Sequence, residues 1–255
     1  MQRPRTVIWL CLPLALCLLG ASDKVDDFGP YNKDKGKNVI YDDLNTKKKV
    51  KTDDFGNAKG SQYDLAKDGA FQNHTIAVLH LYTGGGFDFH YPKAALQQKG
   101  FTIKRWRNTP PSVSELAHEL KMANQLWVIS DRRRKLHEGH LRVIADFFNE
   151  GKGLYIWGDN HPYYADANFI IQTLFNTRMQ GNLPGNRTVA LQSRRGGAGL
   201  IRDHLITTGL EHIFEGITIA TIPLQPPLKP LIFGSANRVV AAYYLNVARI
   251  SNPRS

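Results

Sequence analysis

Over residues 73–255, short apolar runs alternate with longer segments in which apolar residues recur at helical spacing. The runs are rich in β-branched and aromatic residues and end at Gly or polar residues, which is typical of buried strands. Strands are predicted over residues 75–81, 101–106, 125–130 and 153–157. Apolar runs at 217–220, 231–233 and 239–244 predict further strands, whose order the sequence leaves open.

Amphipathic helices are predicted between these strands. The first runs from Ala94 to Gly100, and the second opens at Ser112. Ser112 and Glu115 have the spacing of a capping box, in which the Ser side chain caps the helix start. The third helix ends near Gly151, and the fourth covers residues 165–175.

This alternation of strand and helix predicts an α/β fold with a doubly wound, mostly parallel sheet and helices on both faces. Sheets of this kind bind ligands beyond the carboxyl ends of their strands. The segments expected to meet there are residues 82–88, residues 130–131, residues 158–161, and a later loop that contains Asp203 and His204.

Residues 1–22 have the pattern of a secretory signal peptide. Basic residues at the start precede an apolar run, and small residues follow it, with cleavage expected after Ser22. The apolar run is too short to span a bilayer, although an interfacial anchor is the alternative. The two Cys residues, Cys11 and Cys17, both lie in this segment. A secreted chain is therefore expected to have no disulfide, and its core to depend on burial alone.

Residues 23–72 contain ten Asp and ten Lys and no Glu or Arg. Few apolar residues accompany these charges, so the segment is predicted to be disordered. A tail of this composition is expected either to bind ions, mineral or matrix, or to act as a solvated spacer.

The remaining residues, 73–255, are basic, with 21 Lys and Arg against 12 Asp and Glu. The densest run is residues 132–135, Arg-Arg-Arg-Lys, and Arg194 with Arg195 forms a second cluster. Such runs are expected to meet sulfated glycans, phosphate or acidic protein, or to be solvated loop faces. Nucleic acid is not expected, because the chain has an export signal and no recognisable nucleic-acid-binding module.

The strand over residues 153–157 runs into Gly158-Asp159-Asn160-His161, where a nucleophile elbow would carry Ser or Cys. Asp159 or Asn160 is at the apex instead. Three roles are open for this turn: Asp159 caps the following helix, the turn binds a ligand, or Asp159 acts with Asp131 or Asp203 in a two-carboxylate hydrolase.

The Gly-rich turn at 84–86, the loop after Ser130 and the run 153–160 together resemble the class I glutamine amidotransferase-like superfamily. The closest likeness is to its non-catalytic branch, which includes trehalose-utilisation (ThuA-like) domains. The resemblance implies a flavodoxin-like sheet and a sugar-binding role.

Under that resemblance Gly158 matches the residue before the catalytic Cys, and Asp159 falls at the Cys position, or Asn160 if the alignment slips by one residue. The family's later His-x-Glu pair has no counterpart here. Because amidotransfer needs a thiolate activated by a His, loss of that activity is expected.

Three other patterns complete the candidates. Gly84 and Gly85 are expected to cradle an anion with their backbone amides at a helix start, or to form a tight turn. His137 and His140 could supply two metal ligands, but a zinc site needs more and no site is predicted. The sequons at Asn73 and Asn186 predict glycosylation.

The sequence thus predicts a secreted protein that binds carbohydrate or an acidic extracellular ligand and uses no cofactor. A matrix or mineral protein acting through its charged tail, and a carboxylate-dependent hydrolase, are the alternatives. Aromatic rings are expected to face the sugar at five positions: Tyr82, Phe87, Trp157, Tyr163 and Tyr164. The predicted ligand-binding residues are Gly84, Gly85, Asp131, Gly158, Asp159, Asn160 and His161.

Overall fold

The computed structural model describes residues 7–10, 69–84, 88–185, 187–202, 204, 206–207, 210 and 212–245. Its helices are α1 His90–Gln98, α2 Val113–Met122, α3 Glu138–Asn149 and α4 Ala165–Phe175. Its strands are β1 Val7–Leu10, β2 Thr75–His80, β3 Thr102–Arg107, β4 Gln125–Ile129, β5 Gly153–Trp157, β6 Gln180–Pro184, β7 Thr188–Ala190, β8 Gly199–Leu200, β9 His212–Phe214, β10 Thr218–Thr221, β11 Lys229–Phe233 and β12 Val239–Leu245. Cys11, Cys17 and most of the predicted charged tail, residues 23–68, lie outside the described residues.

One eight-stranded sheet has the order β3-β2-β4-β5-β1-β12-β11-β8. The strands β2 to β5 run parallel to one another. β1 pairs parallel with β5 and antiparallel with β12, and β12, β11 and β8 continue the sheet as antiparallel neighbours. Two further pairs, β10-β6 and β7-β9, form small separate sheets.

The four strands β2 to β5 stand in the order β3-β2-β4-β5, which is the flavodoxin-like arrangement when they are counted from β2. The predicted α/β fold is therefore confirmed. Because parallel crossovers are right-handed, a helix lies on one face when the chain moves one way along the sheet and on the other face when it moves back. The direction reverses after β3, so α1 covers one face, and α2 and α3 cover the other.

The two faces of the parallel sheet carry different cores. On the α1 side, apolar residues of β2, β4 and β5 pack with residues around α1: Ile76, Val78, Ile129, Trp157, Phe89 and Leu96. On the opposite side, three helices contribute to a larger cluster that includes Leu79, Leu116, Leu120, Val128, Ile144, Phe147 and Ile170. The helical spacing that predicted these elements corresponds to the residues that are buried.

The second helix begins as predicted. Ser112 is its N-cap, and its hydroxyl accepts a hydrogen bond from the backbone N–H of Glu115 at 3.2 Å. The Glu115 carboxylate accepts a hydrogen bond from the Trp106 indole at 2.9 Å instead of returning to the cap. The Ser half of the capping box therefore forms, while the Glu side chain links α2 to β3.

The strand β1 lies inside the segment predicted to be a signal peptide. Its residues Trp9 and Leu10 align with Tyr155 and Ile156 of β5, and Val7 aligns with Leu245 of β12. The strand thereby joins the parallel half of the sheet to the antiparallel half. Within the described part of the chain, no helix is long and apolar enough to cross a membrane.

The signal-peptide prediction has a direct test. If the full chain is expressed in eukaryotic secretory cells, we expect protein in the medium with Asp23 at its N-terminus, as intact mass and N-terminal sequencing would show. A secreted protein that retains Val7–Leu10 would contradict this prediction, because cleavage after Ser22 separates β1 from the rest of the chain.

Candidate ligand-binding site

The register of the parallel strands brings the predicted site segments to one edge of the sheet. His80 aligns with Arg107 of β3 and with Ile129 of β4, and Ile129 aligns with Trp157 of β5. The four strands therefore end at the same level. The segments that follow them, beginning at residues 81, 108, 130 and 158, leave from this carboxyl edge.

Asp131 is the most connected side chain at the carboxyl edge. Its carboxylate accepts hydrogen bonds from the Thr83 hydroxyl at 2.7 Å and from the Arg132 backbone N–H at 2.8 Å. The Lys135 ammonium lies 3.0 Å from the same carboxylate and also donates to the carbonyl of Leu81. Burial opposes ionisation of Asp131, but the bonds from Thr83, Arg132 and Lys135 outweigh burial and lower its pKa.

The contacts of Asp131 with Thr83 and Lys135 cross the crevice in which flavodoxin-like proteins usually bind ligands. The direction of the chain reverses between β2 and β4, and the crevice at such a reversal is the usual ligand site. Here Thr83 follows β2, Asp131 follows β4, and the bond between them together with Lys135 spans the crevice. Asp131 was predicted to bind ligand, but protein groups occupy its carboxylate.

Ser130 supplies the cap for α4. Its hydroxyl accepts hydrogen bonds from the backbone N–H groups of Asp166 at 3.0 Å and Ala167 at 3.1 Å. The predicted alternative, in which Asp159 caps this helix, is wrong, because the N-cap position is Tyr164 and has no side-chain cap bond. A hydroxyl from the neighbouring strand fulfils that role.

Asp166 fastens the loop after β4 to the first turn of α4. One carboxylate oxygen accepts hydrogen bonds from the backbone N–H groups of Lys135 and Leu136, both at 2.8 Å. The other oxygen is buried and has no hydrogen-bond partner within the described residues. Burial raises the pKa of Asp166 more than the two backbone bonds lower it.

The turn after β5 differs from a nucleophile elbow. β5 ends at Trp157 and α4 begins at Ala165, so residues 158–164 form a longer connection with hydrogen-bonded turns instead of one sharp strand-to-helix turn. Gly158 is tightly enclosed, since a Cβ at this position would clash with the Met179 sulfur and lie 2.7 Å from the Tyr164 Cβ. Gly158 is therefore needed for packing.

The polar side chains of this connection lie close to the surface. The Asn160 amide donates to the Asn182 side chain at 3.0 Å, and His161 Nδ1 lies 3.0 Å from the Tyr164 hydroxyl. Asp159 is partly buried, and its carboxylate accepts the backbone N–H of Asn160. Burial raises the pKa of Asp159 to about 6, although the Asn160 bond acts in the opposite direction.

The aromatic residues predicted to face a sugar divide into two groups. Trp157 is 3 % exposed and packs in the core beside Tyr155, so it offers no surface to a ligand. Tyr82 and Tyr163 are partly exposed, and their rings meet edge to face at 5.7 Å across the carboxyl edge. Tyr164 is also partly exposed, whereas Phe87 lies outside the described residues.

The anion cradle predicted at Gly84 and Gly85 lacks its helix start. α1 begins only at His90, whose backbone N–H donates to the Asp88 side chain at 2.8 Å. A Cβ on Gly84 would lie 2.1 Å from the Tyr82 hydroxyl, so the Tyr82 ring folds against this glycine. Gly85 lies outside the described residues.

His137 and His140 are used to start α3. His137 is the N-cap and accepts the Gly139 N–H at 3.2 Å, while His140 Nε2 bonds to the Pro111 carbonyl at 2.8 Å. Across the described residues, no group of three or more His, Cys, Asp or Glu side chains could hold a metal ion.

The remaining predicted residues have different surroundings. Asn73 is exposed in a turn before β2, which is the setting that glycosylation requires, while Asn186 lies outside the described residues. Asp203 also lies outside them. His204 packs against Tyr243 of β12 with ring centroids 4.3 Å apart.

Sequence reasoning missed a group of cations around His80. His80 is buried at the end of β2, and burial, followed by the charges of Arg105, Arg107 and Lys135, lowers its pKa to about 4. The imidazole is therefore neutral at physiological pH. The alternation of β3 was the available signal, because Arg105 and Arg107 stand on the same face of that strand.

No protein-family model and no curated protein matches this chain. Among solved structures, it is similar to a protein assigned as a peptidase E from Listeria monocytogenes EGD-e. The two are 14 % identical, the match covers 67 % of each chain, and the TM-score is 0.32.

The cap on α4 gives a stability prediction. Ser130→Ala removes the acceptor for two backbone N–H groups, so we expect the free energy of unfolding to fall by about 1–2 kcal/mol. Ser193→Ala, at an exposed loop position, is the control and should change it by less than about 0.5 kcal/mol. Urea denaturation measures both, and equal effects would refute the role given to Ser130.

The raised pKa of Asp159 gives a pH prediction. Asp159 binds its proton more tightly in the folded state than in the unfolded state, so its contribution to stability is present at pH 4 and is lost as the pH rises through about 6. We expect the wild-type free energy of unfolding to fall relative to that of Asp159→Asn across this window, by at most about 3 kcal/mol. Parallel urea titrations between pH 4 and pH 7 test this, and a constant difference would contradict it.

Proposed function

We propose that this chain is a secreted, non-catalytic member of the amidotransferase-like superfamily that binds carbohydrate at the carboxyl edge of its sheet. The contact region is the connection formed by residues 158–164, with Tyr82 beside it. The flavodoxin-like strand order supports the choice of fold, and the residues described in the sequence analysis support the choice of superfamily.

The observation that carries the proposal is a difference among three carboxyl groups at this edge. Asp131 and Asp166 each accept hydrogen bonds that hold neighbouring segments together. Asp159 accepts only the N–H of the next residue among the described groups. A partly buried carboxylate with one backbone partner keeps the capacity to accept further hydrogen bonds, and sugar hydroxyls are donors that would use it.

The surrounding groups suit a sugar. Pockets for small polar ligands combine apolar or aromatic walls with a few placed hydrogen-bonding groups. Tyr82 and Tyr163 provide ring surface, and Asn160 and His161 provide donors and acceptors beside Asp159. This set is consistent with a ligand that has both apolar faces and hydroxyl groups.

The geometry gives less support to catalysis. The thiolate mechanism of the superfamily has no counterpart, because the resemblance puts Asp159, or Asn160 after a one-residue slip, at the Cys position. A two-carboxylate hydrolase would need a second free carboxyl; Asp131 is engaged with Thr83, Arg132 and Lys135, and Asp203 lies outside the described residues. Binding without turnover is therefore the function that we propose.

The proposal predicts which substitutions abolish binding. We expect Asp159→Asn and His161→Ala to weaken binding of an oligosaccharide by about tenfold or more, which corresponds to about 1.4 kcal/mol. Asp146→Asn, at an exposed position on α3, is the control and should bind as the wild type does. Calorimetry with the full-length protein and a panel of neutral and acidic oligosaccharides measures these affinities.

The pH dependence of binding provides a further check on the same panel. If the ionised carboxylate accepts the hydroxyls, wild-type affinity should rise as the pH passes through about 6, whereas Asp159→Asn should show no such rise. If no oligosaccharide in the panel binds, or if binding is the same in Asp159→Asn, the proposed site is wrong.

A further inference from the structure

Arginines that have no ion pair with the described residues flank the carboxyl edge on both sides of β2. Arg105 and Arg107 lie at the end of β3, and Arg132, Arg133 and Arg134 follow β4. Since β3 and β4 are the two neighbours of β2, both groups border the same part of the edge. Four of the five are exposed, and Arg105 is half-buried.

These arginines have few acidic partners. The ion pair found at this edge among the described residues joins Lys135 to Asp131 and leaves the five guanidinium groups outside it. Among the described residues, the charge of Asp88 acts on Arg105. The described part of the edge on either side of β2 therefore has an excess of positive charge.

Two of the guanidinium groups are held by aromatic rings. The Arg105 guanidinium lies 4.5 Å from the centre of the Phe89 ring, and the Arg134 guanidinium lies 4.5 Å from that of Phe169. Stacking of this kind leaves the N–H groups at the rim of the guanidinium free to donate. A planar fork of such donors matches the oxygens of sulfate or carboxylate.

The spacing of the arginines favours an extended anion. Arg105 and Arg107 are two residues apart on one strand, which separates them by about 7 Å. β3 and β4 are separated by β2, so the strands that carry the two groups stand about 10 Å apart across the sheet. A chain with repeated anionic groups can pair with all of these arginines at once, whereas one small anion pairs only with those that converge on it.

We propose that the ligand of the carboxyl edge is a sulfated glycan. Its sulfates pair with arginines on both sides of β2, and its hydroxyls bond to Asp159. This inference rests on the proposed function, because it assigns a substrate class to the same site. A glycan fits better than a polyphosphate chain, since its free hydroxyls are the donors that the Asp159 carboxylate lacks.

The decisive experiment uses the full-length protein and a heparin octasaccharide, with a fully desulfated octasaccharide of the same backbone beside it. The test variant is Arg107→Gln/Arg133→Gln, which removes one exposed arginine from each side of β2. The control variant is Arg194→Gln/Arg195→Gln, which removes two exposed arginines from the loop before β8, at the opposite end of the sheet. Thermal unfolding of both variants shows whether either one is misfolded.

We expect the desulfated sugar to bind at least tenfold more weakly than heparin. The test variant should lose about tenfold in heparin affinity and show a weaker dependence on salt, because fewer charges pair with the ligand. The control variant should stay within threefold of the wild type. Single-stranded DNA of equal charge should bind more weakly than heparin does.

The outcomes separate this inference from the proposed function. Equal affinity for both sugars, with dependence on Asp159, would overturn the sulfated class and leave sugar binding intact. Equal losses in the two double variants, or equally tight DNA binding, would show a non-specific response to charge and overturn the inference. Absence of binding to either sugar would overturn both proposals.

Discussion

The register of the four parallel strands brings their carboxyl ends to one level, and the position of the candidate site depends on it. Arg107, His80, Ile129 and Trp157 are register partners across the sheet, so the segments after them share one edge. Backbone hydrogen bonding and two buried cores fix that register. A one-residue slip of β2, β4 or β5 would exchange the side chains that the two cores receive from that strand, which makes the arrangement strongly specified.

The carboxyl edge has one part in which protein groups bond to one another and a neighbouring part that is available to a ligand. At the reversal between β2 and β4, the bonds of Asp131 with Thr83 and Lys135 fill the crevice. Beside it, the turn after β5 carries Asp159, whose pKa is raised by burial and whose carboxylate has one hydrogen-bond partner among the described groups, the Asn160 backbone N–H. Of the three carboxylates, the one with the fewest described partners therefore lies one strand further along the sheet.

Local pattern predicted the parallel half of the fold well. β2, β4 and β5 are short apolar runs, β3 alternates apolar and charged residues, and apolar residues recur at helical spacing between them, so the spacing alone contains the information. The contacts of the candidate site were harder to predict from the sequence, because they join segments that are distant along the chain. Ser130 caps α4 from 36 positions away along the chain, and no local motif encodes that bond. Lys135 looked like one cation in a basic run, but its ammonium faces inward to Asp131. β1 has the composition of a signal peptide, and its place in the sheet depends on β5 and β12, which are distant from it along the chain.

Hydrogen–deuterium exchange of the full-length protein with and without a heparin octasaccharide tests the central claim most directly. The account predicts protection in peptides that cover residues 82–84, 105–109, 130–134 and 158–164, and unchanged exchange in the loop over residues 192–198. Protection confined to that loop, or to the α2 and α3 surface, would place the ligand elsewhere. Either of those results would contradict a binding site at the carboxyl edge.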